Sequence, residues 1–387
     1  MRLTLVTETF PPEVNGVART LGRWVETFLS RGHTVDVIRP ARSRERMAED
    51  SIQALSVPFY PQVRLGLALP HQVEQRYRRF QTNLVHIATE GPLGLAALWA
   101  GRHRRLPIAS SFHTNFDHYM THYGLAGWEW CGRSYLRWFH NQTAVTLVPS
   151  QATQSRLTEE GFKRVEIWSR GVDAVLFNPD QRDPDLRAEL GLRTDDVLLL
   201  FVGRLAWEKN LEMLLTTFNR LRGQPDGMAK EVRLALVGDG PMLESLRGRR
   251  VPRVHLPGAQ QGRALARWFA SADVFTFPSL TETFGNVVLE AQASGLPVVA
   301  FDYETTRERI TNQVDGVLLG NDADWLPVLV ELTDNPGERK RLGVAGRRKA
   351  ERQGWEPIFD ELERRYQELI VNAAHSQSGK RPAALPA

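Results

Sequence analysis

The chain has 387 residues but only one cysteine, Cys131, so an internal disulfide bond is impossible. It has no run of about 18 apolar residues, which excludes a helix of the length that usually spans a membrane. Residues 1–6 read MRLTLV, a short strand-like run without the apolar core of a secretory signal peptide. A lone cysteine fits a reducing compartment. These absences together predict a cytoplasmic protein.

Motifs for metal and dinucleotide binding are also scarce. Cysteine, histidine and acidic residues are not grouped at the spacing of zinc ligands. The first strand-like run is not followed by Gly-x-Gly-x-x-Gly, which argues against a dinucleotide oxidoreductase. Two Asp-x-Asp triplets, at 183–185 and 322–324, lie in polar stretches away from the other motifs and are interpreted as surface carboxylates. The sequence therefore predicts no metal site.

Size and charge set broad limits on the architecture and the partners. A chain of 387 residues exceeds the size at which a single core usually stops growing, so two domains are expected. Hydrophobic residues make up 42% and charged residues 24%, as in ordinary globular proteins. The net charge of +4 permits contact with phosphates, nucleic acid or anionic lipid, but it selects none of them.

Short apolar runs alternate with helical patterns along most of the chain. Strands are expected at 3–7, 34–38, 84–88, 107–111 and 144–148, and again at 197–202, 232–237, 274–277 and 297–301. Helices are expected at 17–30, 93–104 and 151–160, and then at 211–222, 263–271 and 286–294. This alternation predicts parallel sheets covered on both faces, and its restart predicts two Rossmann-like units. Proline, aspartate and arginine accumulate between 171 and 196, where we place the break.

Two glutamates eight positions apart mark the run TETFGNVVLE at 281–290. Glu282 is expected in a loop before a helix and Glu290 about one turn inside it. The backbone N–H groups of Phe284, Gly285 and Asn286 would open that helix, where anions are attracted. Carboxylates that accept hydroxyl hydrogen bonds would thus flank an anion site. A nucleoside-diphosphate sugar, with hydroxyls at both ends and phosphates between them, needs both features.

Three further segments follow predicted strands and add candidate site residues. In FVGRLAWEKN at 201–210, Arg204 and Lys209 are expected at the end of a strand, where they could bind a diphosphate. Two solvated cations around a turn would give the same sequence pattern. In FPPEVNGV at 10–17, Gly16 would let the backbone approach a phosphate, or simply form a turn. In SSFHTNF at 110–116, His113 ends a strand, where a structural histidine is also common.

Taken together, these motifs resemble those of the retaining GT-B glycosyltransferases of family four, also called group 1. The hinge run WSRGVD at 168–173 is similar to that of the bacterial mannosyl-, glucosyl- and sulfoquinovosyl-type lipid transferases, and it places Arg170 beside the cleft or in an interdomain salt bridge. The resemblance covers about residues 1–370. It implies an α/β GT-B fold, two Rossmann-like domains whose parallel sheets face a central cleft.

The resemblance also implies a domain plan. An acceptor domain is expected over 1–172 and a nucleotide-sugar domain over 173–354. A final helix at 355–372 would cross back to the first domain. Residues 373–387 are expected to form a disordered tail, since they are polar and rich in proline and alanine.

The roles implied by the resemblance concern the donor. Arg204 and Lys209 would neutralise the leaving diphosphate, and Gly16 would face the donor phosphates. Phe284, Gly285 and Asn286 would present N–H groups to the same phosphates. Glu290 would hold the ribose, while Glu282 and His113 would contact the sugar near the reacting carbon. The implied reaction is same-face attack with retention on a UDP- or GDP-hexose, and it needs no metal.

Basic and aromatic residues crowd three stretches of the first domain, at 75–80, 99–105 and 128–139. Rings and cations together suit a lipid headgroup interface, although a helix that buries its rings and solvates its arginines gives the same pattern. No nucleic-acid recognition motif is present. We expect a lipid acceptor such as diacylglycerol, an anionic membrane surface as partner, and a peripheral place on the inner face of the cell membrane.

Other functions remain open at this stage. A soluble glycosyltransferase that acts on a polysaccharide or a small molecule would carry the same motifs. A GT-B sugar-nucleotide epimerase would need further acid/base residues. A non-catalytic basic binding protein would not need Glu290. The sequence does not reveal the base, the hexose, the linkage or the oligomeric state.

Overall fold

The computed structural model describes residues 1–13, 15–41, 52–57, 60–113, 129–223, 231–280, 282, 284–321 and 323–378. The chain divides into two compact units. One comprises Met1–Ser169 with Glu356–Ala387, and the other comprises Arg170–Trp355. Each unit has its own sheet and its own hydrophobic core.

The first unit is built on a parallel sheet. Its strands are β1 (Arg2–Val6), β2 (Thr34–Ile38), β5 (Leu84–Ile87), β6 (Ile108–Ser111), β7 (Val145–Val148) and β8 (Val165–Ile167), in the order β2-β1-β5-β6-β7-β8. A separate antiparallel hairpin is formed by β3 (Gln53–Val57) and β4 (Tyr60–Leu67). Leu3, Leu5 and Val6 of β1 are all buried, as expected for a strand covered on both faces.

Helices cover that sheet. They are α1 (Gly16–Ser30), α2 (Pro70–Phe80), α3 (Pro92–His103), α4 (Glu129–Asn141) and α5 (Gln151–Glu159). Asn15 begins α1, because its side-chain oxygen accepts the Ala18 N–H at 2.8 Å. Trp24 and Phe28 lie on the buried face of α1, one turn apart, with ring centroids 5.0 Å apart.

The second unit repeats the same plan. Its sheet contains β9 (Val197–Val202), β10 (Val232–Val237), β11 (Val254–Gly258), β12 (Val274–Phe277), β13 (Val298–Phe301) and β14 (Val317–Leu319), in the order β11-β10-β9-β12-β13-β14. The helices are α6 (Pro184–Glu189), α7 (Leu211–Arg222), α8 (Leu243–Arg249), α9 (Gly262–Ser271), α10 (Asn286–Ala293), α11 (Glu304–Arg309), α12 (Leu326–Asp334) and α13 (Pro336–Glu351). All of its pairings are parallel, so the predicted fold class is confirmed.

Both sheets have a point where the strand order reverses direction. In the first unit it lies between β1 and β5, and in the second between β9 and β12. Open parallel sheets bind ligands just beyond the carboxyl ends of the strands at such a point. The loops that follow β1, β9 and β12 are therefore the places to look for a site.

Helix α14 (Trp355–Ser378) belongs to the first unit from Glu356 onward. Arg31, which follows α1, pairs with Glu356, Asp360 and Glu363 of this helix at 2.7–2.9 Å. Phe359 and Tyr366 are fully buried. Among the helices described, none is long and apolar enough to cross a bilayer.

Two expectations from the sequence need correction. The helix continues to Ser378, so residues 373–378 are helical rather than part of a disordered tail, because Ala373 and Ala374 are strong helix formers. Residues 379–387 lie outside the described residues. The stretch at 171–196, where we placed the break, belongs to the second unit, and Phe177 and Leu186 are buried in that unit's core.

Candidate functional site

The loop after β9 carries both predicted cations of the second unit. Arg204 comes two residues after β9 ends and is partly buried. Lys209 ends a 3₁₀ turn, Trp207–Lys209, and Asn210 then adopts a left-handed conformation before α7 begins. The chain thus turns sharply beyond the sheet, and both cations are held at its carboxyl edge.

Lys209 forms an ion pair with Glu282, which precedes α10. The Lys209 ammonium lies 2.7 Å from Glu282 Oε2, and both side chains are largely shielded from solvent. The carbonyl of Glu282 accepts a hydrogen bond from the Thr305 hydroxyl at 2.8 Å. Two residues predicted separately to touch a donor are therefore brought together, since β9 and β12 are neighbours in the sheet.

The position immediately before α10 requires a glycine. Gly285 has φ of 77°, a left-handed conformation that costs little only without a Cβ. This turn directs the chain from the Glu282 loop into α10, where Asn286 is the first residue. Glu290 follows one turn later and is 5% exposed. The predicted order of loop, helix start and glutamate about one turn inside the helix is confirmed, and the burial of Glu290 is an addition from the structure.

Phe284 lies beneath this turn and is covered by an arginine. The Arg309 guanidinium lies 3.8 Å from the centre of the Phe284 ring, and its Nε donates to the Phe284 carbonyl at 3.4 Å. Burial lowers the pKa of Arg309 to about 10. Burial, and then the like charge of Arg309, lower the pKa of Arg170 to about 9. Arg170 is therefore buried near a second cation.

Tyr303, which follows β13, is a residue that the sequence patterns missed. Its hydroxyl is buried, and burial together with the charge of Glu282 raises the pKa of Tyr303 well above its usual range. Within the described residues, this hydroxyl has no hydrogen-bond partner. The sequence signal available for Tyr303 is its position two residues after a buried strand.

The loops after the first strands of this unit are tied together by backbone contacts. Gly203 donates to the Val237 carbonyl at 3.0 Å, and Leu205 donates to the Asp239 carbonyl at 2.8 Å. A Cβ at Gly238 would lie 1.8 Å from the Gly203 carbonyl oxygen. The loop that carries Arg204 therefore rests directly on the loop after β10.

The first unit places its two candidates at the carboxyl edge of its own sheet. Gly16 is exposed as the first residue of α1, after a loop that follows β1. His113 comes two residues after β6, and its Nε2 lies 2.8 Å from the Ser111 hydroxyl. Residues 114–128, with the rest of the predicted motif and Trp128, lie outside the described residues.

A buried carboxyl group at the same edge was not predicted. Glu8 lies after β1 and accepts the N–H of Leu93, in the first turn of α3, at 3.4 Å. Burial raises the pKa of Glu8 to about 7, and the nearby charge of Glu90 adds to this rise. Glu90 is in turn 3.1 Å from His140 Nε2.

Two sequence profiles match this chain. Residues 14–176 match the profile described as "Glycosyltransferase Family 4", and residues 196–335 match "Glycosyl transferases group 1". A protein named GDP-mannose-dependent alpha-mannosyltransferase, from Mycolicibacterium smegmatis, is 32% identical over 96% of this chain and 98% of its own length. The chain belongs to the group 1, family 4 glycosyltransferases.

Two other relatives of this glycosyltransferase have names that mention lipids or sulfosugars. Sulfoquinovosyl transferase SQD2 from Arabidopsis thaliana is 32% identical over 77% of this chain and 59% of its own length. Alpha-monoglucosyldiacylglycerol synthase from Streptococcus pneumoniae is 27% identical over 86% of this chain and 78% of its own length. These matches identify the chain as a hexosyltransferase that uses a nucleotide sugar.

The fold of the glycosyltransferase agrees with this membership. A solved structure of sucrose-phosphate synthase from Thermosynechococcus elongatus superposes with a TM-score of 0.76, and the match covers 95% of this chain and 99% of that one. The identity is 18%, so this match supports the fold alone. The predicted GT-B class is confirmed.

One aspartate of each Asp-x-Asp triplet of the glycosyltransferase has structural partners, and Asp322 lies outside the described residues. Asp183 begins α6, where its side chain accepts the N–H groups of Asp185 and Leu186. Asp324 pairs with Arg220 at 2.8 Å and accepts the Leu326 N–H. Within the described part of the chain, no group of three or more acidic, histidine or cysteine side chains could hold a metal ion.

Proposed function

We propose that the protein transfers a hexose, with retention, from a GDP- or UDP-hexose to a lipid acceptor at a membrane surface. The observation that carries this proposal is the Lys209–Glu282 ion pair, at the reversal point of the donor unit and beside the start of α10. It joins a cation suited to a diphosphate with a carboxylate suited to sugar hydroxyls. The relative with a GDP-mannose-dependent name makes GDP-mannose the first donor to test.

The proposed chemistry follows the charge that develops when the sugar–phosphate bond breaks. Negative charge builds up on the departing diphosphate, and preorganised donors aimed at it supply much of the rate. Arg204, Lys209 and the N–H groups at 284–286 fill that role, and Gly16 meets the same phosphates. We propose same-face attack, in which the leaving phosphate oxygen takes the acceptor's proton, without a metal ion.

Sugar and ribose recognition falls to the two glutamates. Glu282 is held by Lys209 and Thr305, so its carboxylate has a fixed direction before the donor arrives. A group fixed in advance loses little entropy on binding. Glu290 is buried on α10 and accepts the ribose hydroxyls in this proposal. His113 contacts the donor sugar near the reacting carbon.

The lipid acceptor is supported by the surface of the first unit. Trp99 on α3 and Trp138 on α4 are 52% and 41% exposed, and their ring centroids are 6.3 Å apart. Arg102 lies about one turn along α3 from Trp99. Exposed indoles beside guanidinium groups suit the headgroup region of a membrane. The name of one relative, alpha-monoglucosyldiacylglycerol synthase, points in the same direction.

Not all three basic-aromatic stretches support a lipid surface. On α2, Tyr77 is buried, and Arg76 pairs with Asp36 at 2.7 Å. On α4, Phe139 is buried. The stretch at 75–80 therefore has a buried ring and a paired arginine, as the alternative interpretation expects. The proposed membrane surface is limited to the exposed residues Trp99, Trp138 and Trp130.

A panel of nucleotide sugars tests the donor site. We expect GDP or UDP, and one of their hexose conjugates, to raise the melting temperature, because a ligand of the native state stabilises it. The Glu290→Ala variant should bind that donor at least about tenfold more weakly, a loss of about 1.4 kcal/mol. Glu331→Ala, at an exposed position on α12, is the control. Undiminished donor affinity in Glu290→Ala would remove the glutamate from the proposed site.

Acceptor assays separate the proposed reaction from its rivals. Transfer to diacylglycerol in vesicles supports the lipid acceptor, whereas turnover restricted to a water-soluble acceptor supports the polysaccharide or small-molecule alternative. Conversion of the sugar nucleotide without any acceptor would support an epimerase. The anomeric configuration of the product, read by NMR, tests retention.

A further inference from the structure

A chain of buried hydrogen bonds runs through the first unit and ends at His113. The Tyr366 hydroxyl of α14 contacts His86 Nδ1 on β5. His86 Nε2 lies 2.8 Å from the Ser111 hydroxyl on β6. The Ser111 hydroxyl lies 2.8 Å from His113 Nε2. Tyr366, His86 and Ser111 are each 0% exposed.

Two tryptophan rings pack against this series of hydrogen bonds. Trp24 lies edge-on to both His86 and Tyr366, with ring centroids 5.8 and 6.3 Å away. Trp168 lies edge-on to both histidines, at 5.4 Å from His86 and 6.1 Å from His113. Hydrogen bonds in such an apolar setting are electrostatically strong, and a polar group that loses its partner there is costly.

The burial of Tyr366 determines which group donates in the first of these hydrogen bonds. Its proton stays on the phenol, since burial raises the pKa of Tyr366 well above its usual range. In the described part of the chain, His86 is the acceptor within hydrogen-bonding distance of this hydroxyl. A buried hydroxyl that did not donate would lose the free energy of a hydrogen bond. Tyr366 therefore donates to His86 Nδ1.

The remaining directions follow from the capacity of each group. A neutral histidine that accepts at Nδ1 carries its proton on Nε2, so His86 donates from Nε2 to the Ser111 oxygen. Among the described residues, the Ser111 hydroxyl contacts His86 and His113 only, so its single proton is directed to His113 Nε2, because a buried proton left without an acceptor would cost a hydrogen bond. His113 Nε2 becomes an acceptor, and the proton of the neutral ring must sit on Nδ1.

We propose that Tyr366, His86 and Ser111 are positioning residues that hold His113 in the tautomer protonated on Nδ1. In the proposed function, this tautomer decides which ring nitrogen of His113 carries the proton when the ring meets the donor sugar. The first statement stands on the geometry of this unit alone, and the second rests on the proposed function. The C-terminal helix α14 thus contributes to the site through a residue 280 positions away from its partner His86.

Nitrogen NMR of histidine-labelled full-length protein tests the tautomer directly, because protonated and bare ring nitrogens resonate far apart. The His113→Gln variant assigns the signals. We expect the wild-type His113 ring to carry its proton on Nδ1. In Tyr366→Phe, which keeps the ring but removes the hydroxyl, His86 can reverse its tautomer, and the His113 signals should shift toward an average of both tautomers. Ser111→Ala should have the same effect.

Tyr77→Phe is the matched control, because Tyr77 is also a fully buried tyrosine of the first unit, and its hydroxyl lies 3.4 Å from the Ala97 carbonyl. It should leave the His113 signals unchanged. The tautomer assignment is overturned if wild-type His113 is protonated on Nε2, or if Tyr366→Phe and Ser111→Ala leave its nitrogen signals where they are.

Kinetics separate this inference from the proposed function. We expect Tyr366→Phe to lower kcat about tenfold, the worth of roughly one hydrogen bond, with the donor KM changed by less than about twofold. Tyr77→Phe should keep the wild-type kcat. If the His113 signals change as expected while kcat does not, the positioning chain stands, and the role of His113 in sugar transfer fails.

Discussion

At the scale of single residues, the contact between Lys209 and Glu282 matters most. An exposed Lys–Glu pair contributes little to stability, but this one is mostly shielded and lies at a reversal point of a sheet. The sequence motifs predicted a separate role for each residue. The structure adds that each fixes the other, so that removing one also disturbs the direction of its partner.

Replacing Lys209 by Met should therefore slow the transfer step more than it weakens donor binding. The lost cation would have stabilised charge that appears only as the diphosphate departs. We expect kcat to fall about 10²- to 10³-fold, as for the loss of one oxyanion-hole donor. Steady-state kinetics with the best donor of the panel measure this fall.

Lys349→Met is the control for that variant. Lys349 also forms an ion pair in the second unit, with Asp315 at 3.0 Å, but on α13 and away from the loops that follow β9 and β12. It should retain kcat. A Lys209→Met enzyme with wild-type kcat would show that the lysine does not act on the leaving group.

At the scale of elements, the loops at the carboxyl edge of the second sheet behave as one layer. The loop after β9 rests on the loop after β10, and Gly238 donates in turn to the Gly258 carbonyl at 3.0 Å. Strand pairing fixes the loop stems, and the glycine allows the backbones to touch. The position of Arg204 therefore depends on a residue that need not contact any substrate.

Replacing Gly238 by Ala tests this dependence. The added Cβ would meet the Gly203 carbonyl oxygen at 1.8 Å, so the loop that carries Arg204 has to move. We expect a loss of about 1–3 kcal/mol in the free energy of unfolding, typical of overpacking, together with weaker donor binding. Urea unfolding and calorimetric titration measure the two effects.

Gly248→Ala provides the comparison, because a Cβ at Gly248 in α8 has nothing within 4 Å. Alanine is a better helix former than glycine by about 1 kcal/mol, so this variant should be as stable as the wild type or more so. Equal behaviour of the two alanine variants would show that the loop contact does not position the site.

At the scale of the whole molecule, the protein combines a basic excess with exposed rings on one unit. The net charge is +4 and the isoelectric point is about 9.3. Charge of this kind attracts an anionic surface over a distance set by the salt concentration, while indoles add an apolar contact at close range. The two contributions can be separated by experiment.

We expect the protein to bind vesicles that contain phosphatidylglycerol and to be released as salt rises from 0.05 to about 0.5 M, because screening shortens the electrostatic range. Trp99→Ala combined with Trp138→Ala should weaken vesicle binding at least about tenfold at low salt, a change of about 1.4 kcal/mol. Cosedimentation measures the bound fraction.

Trp207→Ala controls for the loss of an exposed indole, since Trp207 is 60% exposed but belongs to the second unit. It should bind vesicles like the wild type. Vesicle binding unaffected by the loss of Trp99 and Trp138 would exclude this pair as the membrane contact, and the absence of any binding would leave the soluble acceptor as the better proposal.

The sequence by itself determined nine strands of the two parallel sheets, the helices predicted between them, and the place of the candidate residues in the loops and helices that follow strands. These features follow from the local spacing of apolar residues and from turn chemistry, which a single segment carries alone. The C-terminal helix beyond residue 372 was missed, because its polar composition outweighed its helix-forming alanines.

Only the tertiary structure decided which strand ends are neighbours. Sheet order places β9 beside β12, so Lys209 contacts a glutamate 73 positions away. The packing of helix α14 places the Tyr366 hydroxyl against His86 on β5. Neither contact produces a periodic pattern in the sequence, because each depends on how distant segments pack. That packing is determined by the free energy of the whole unit.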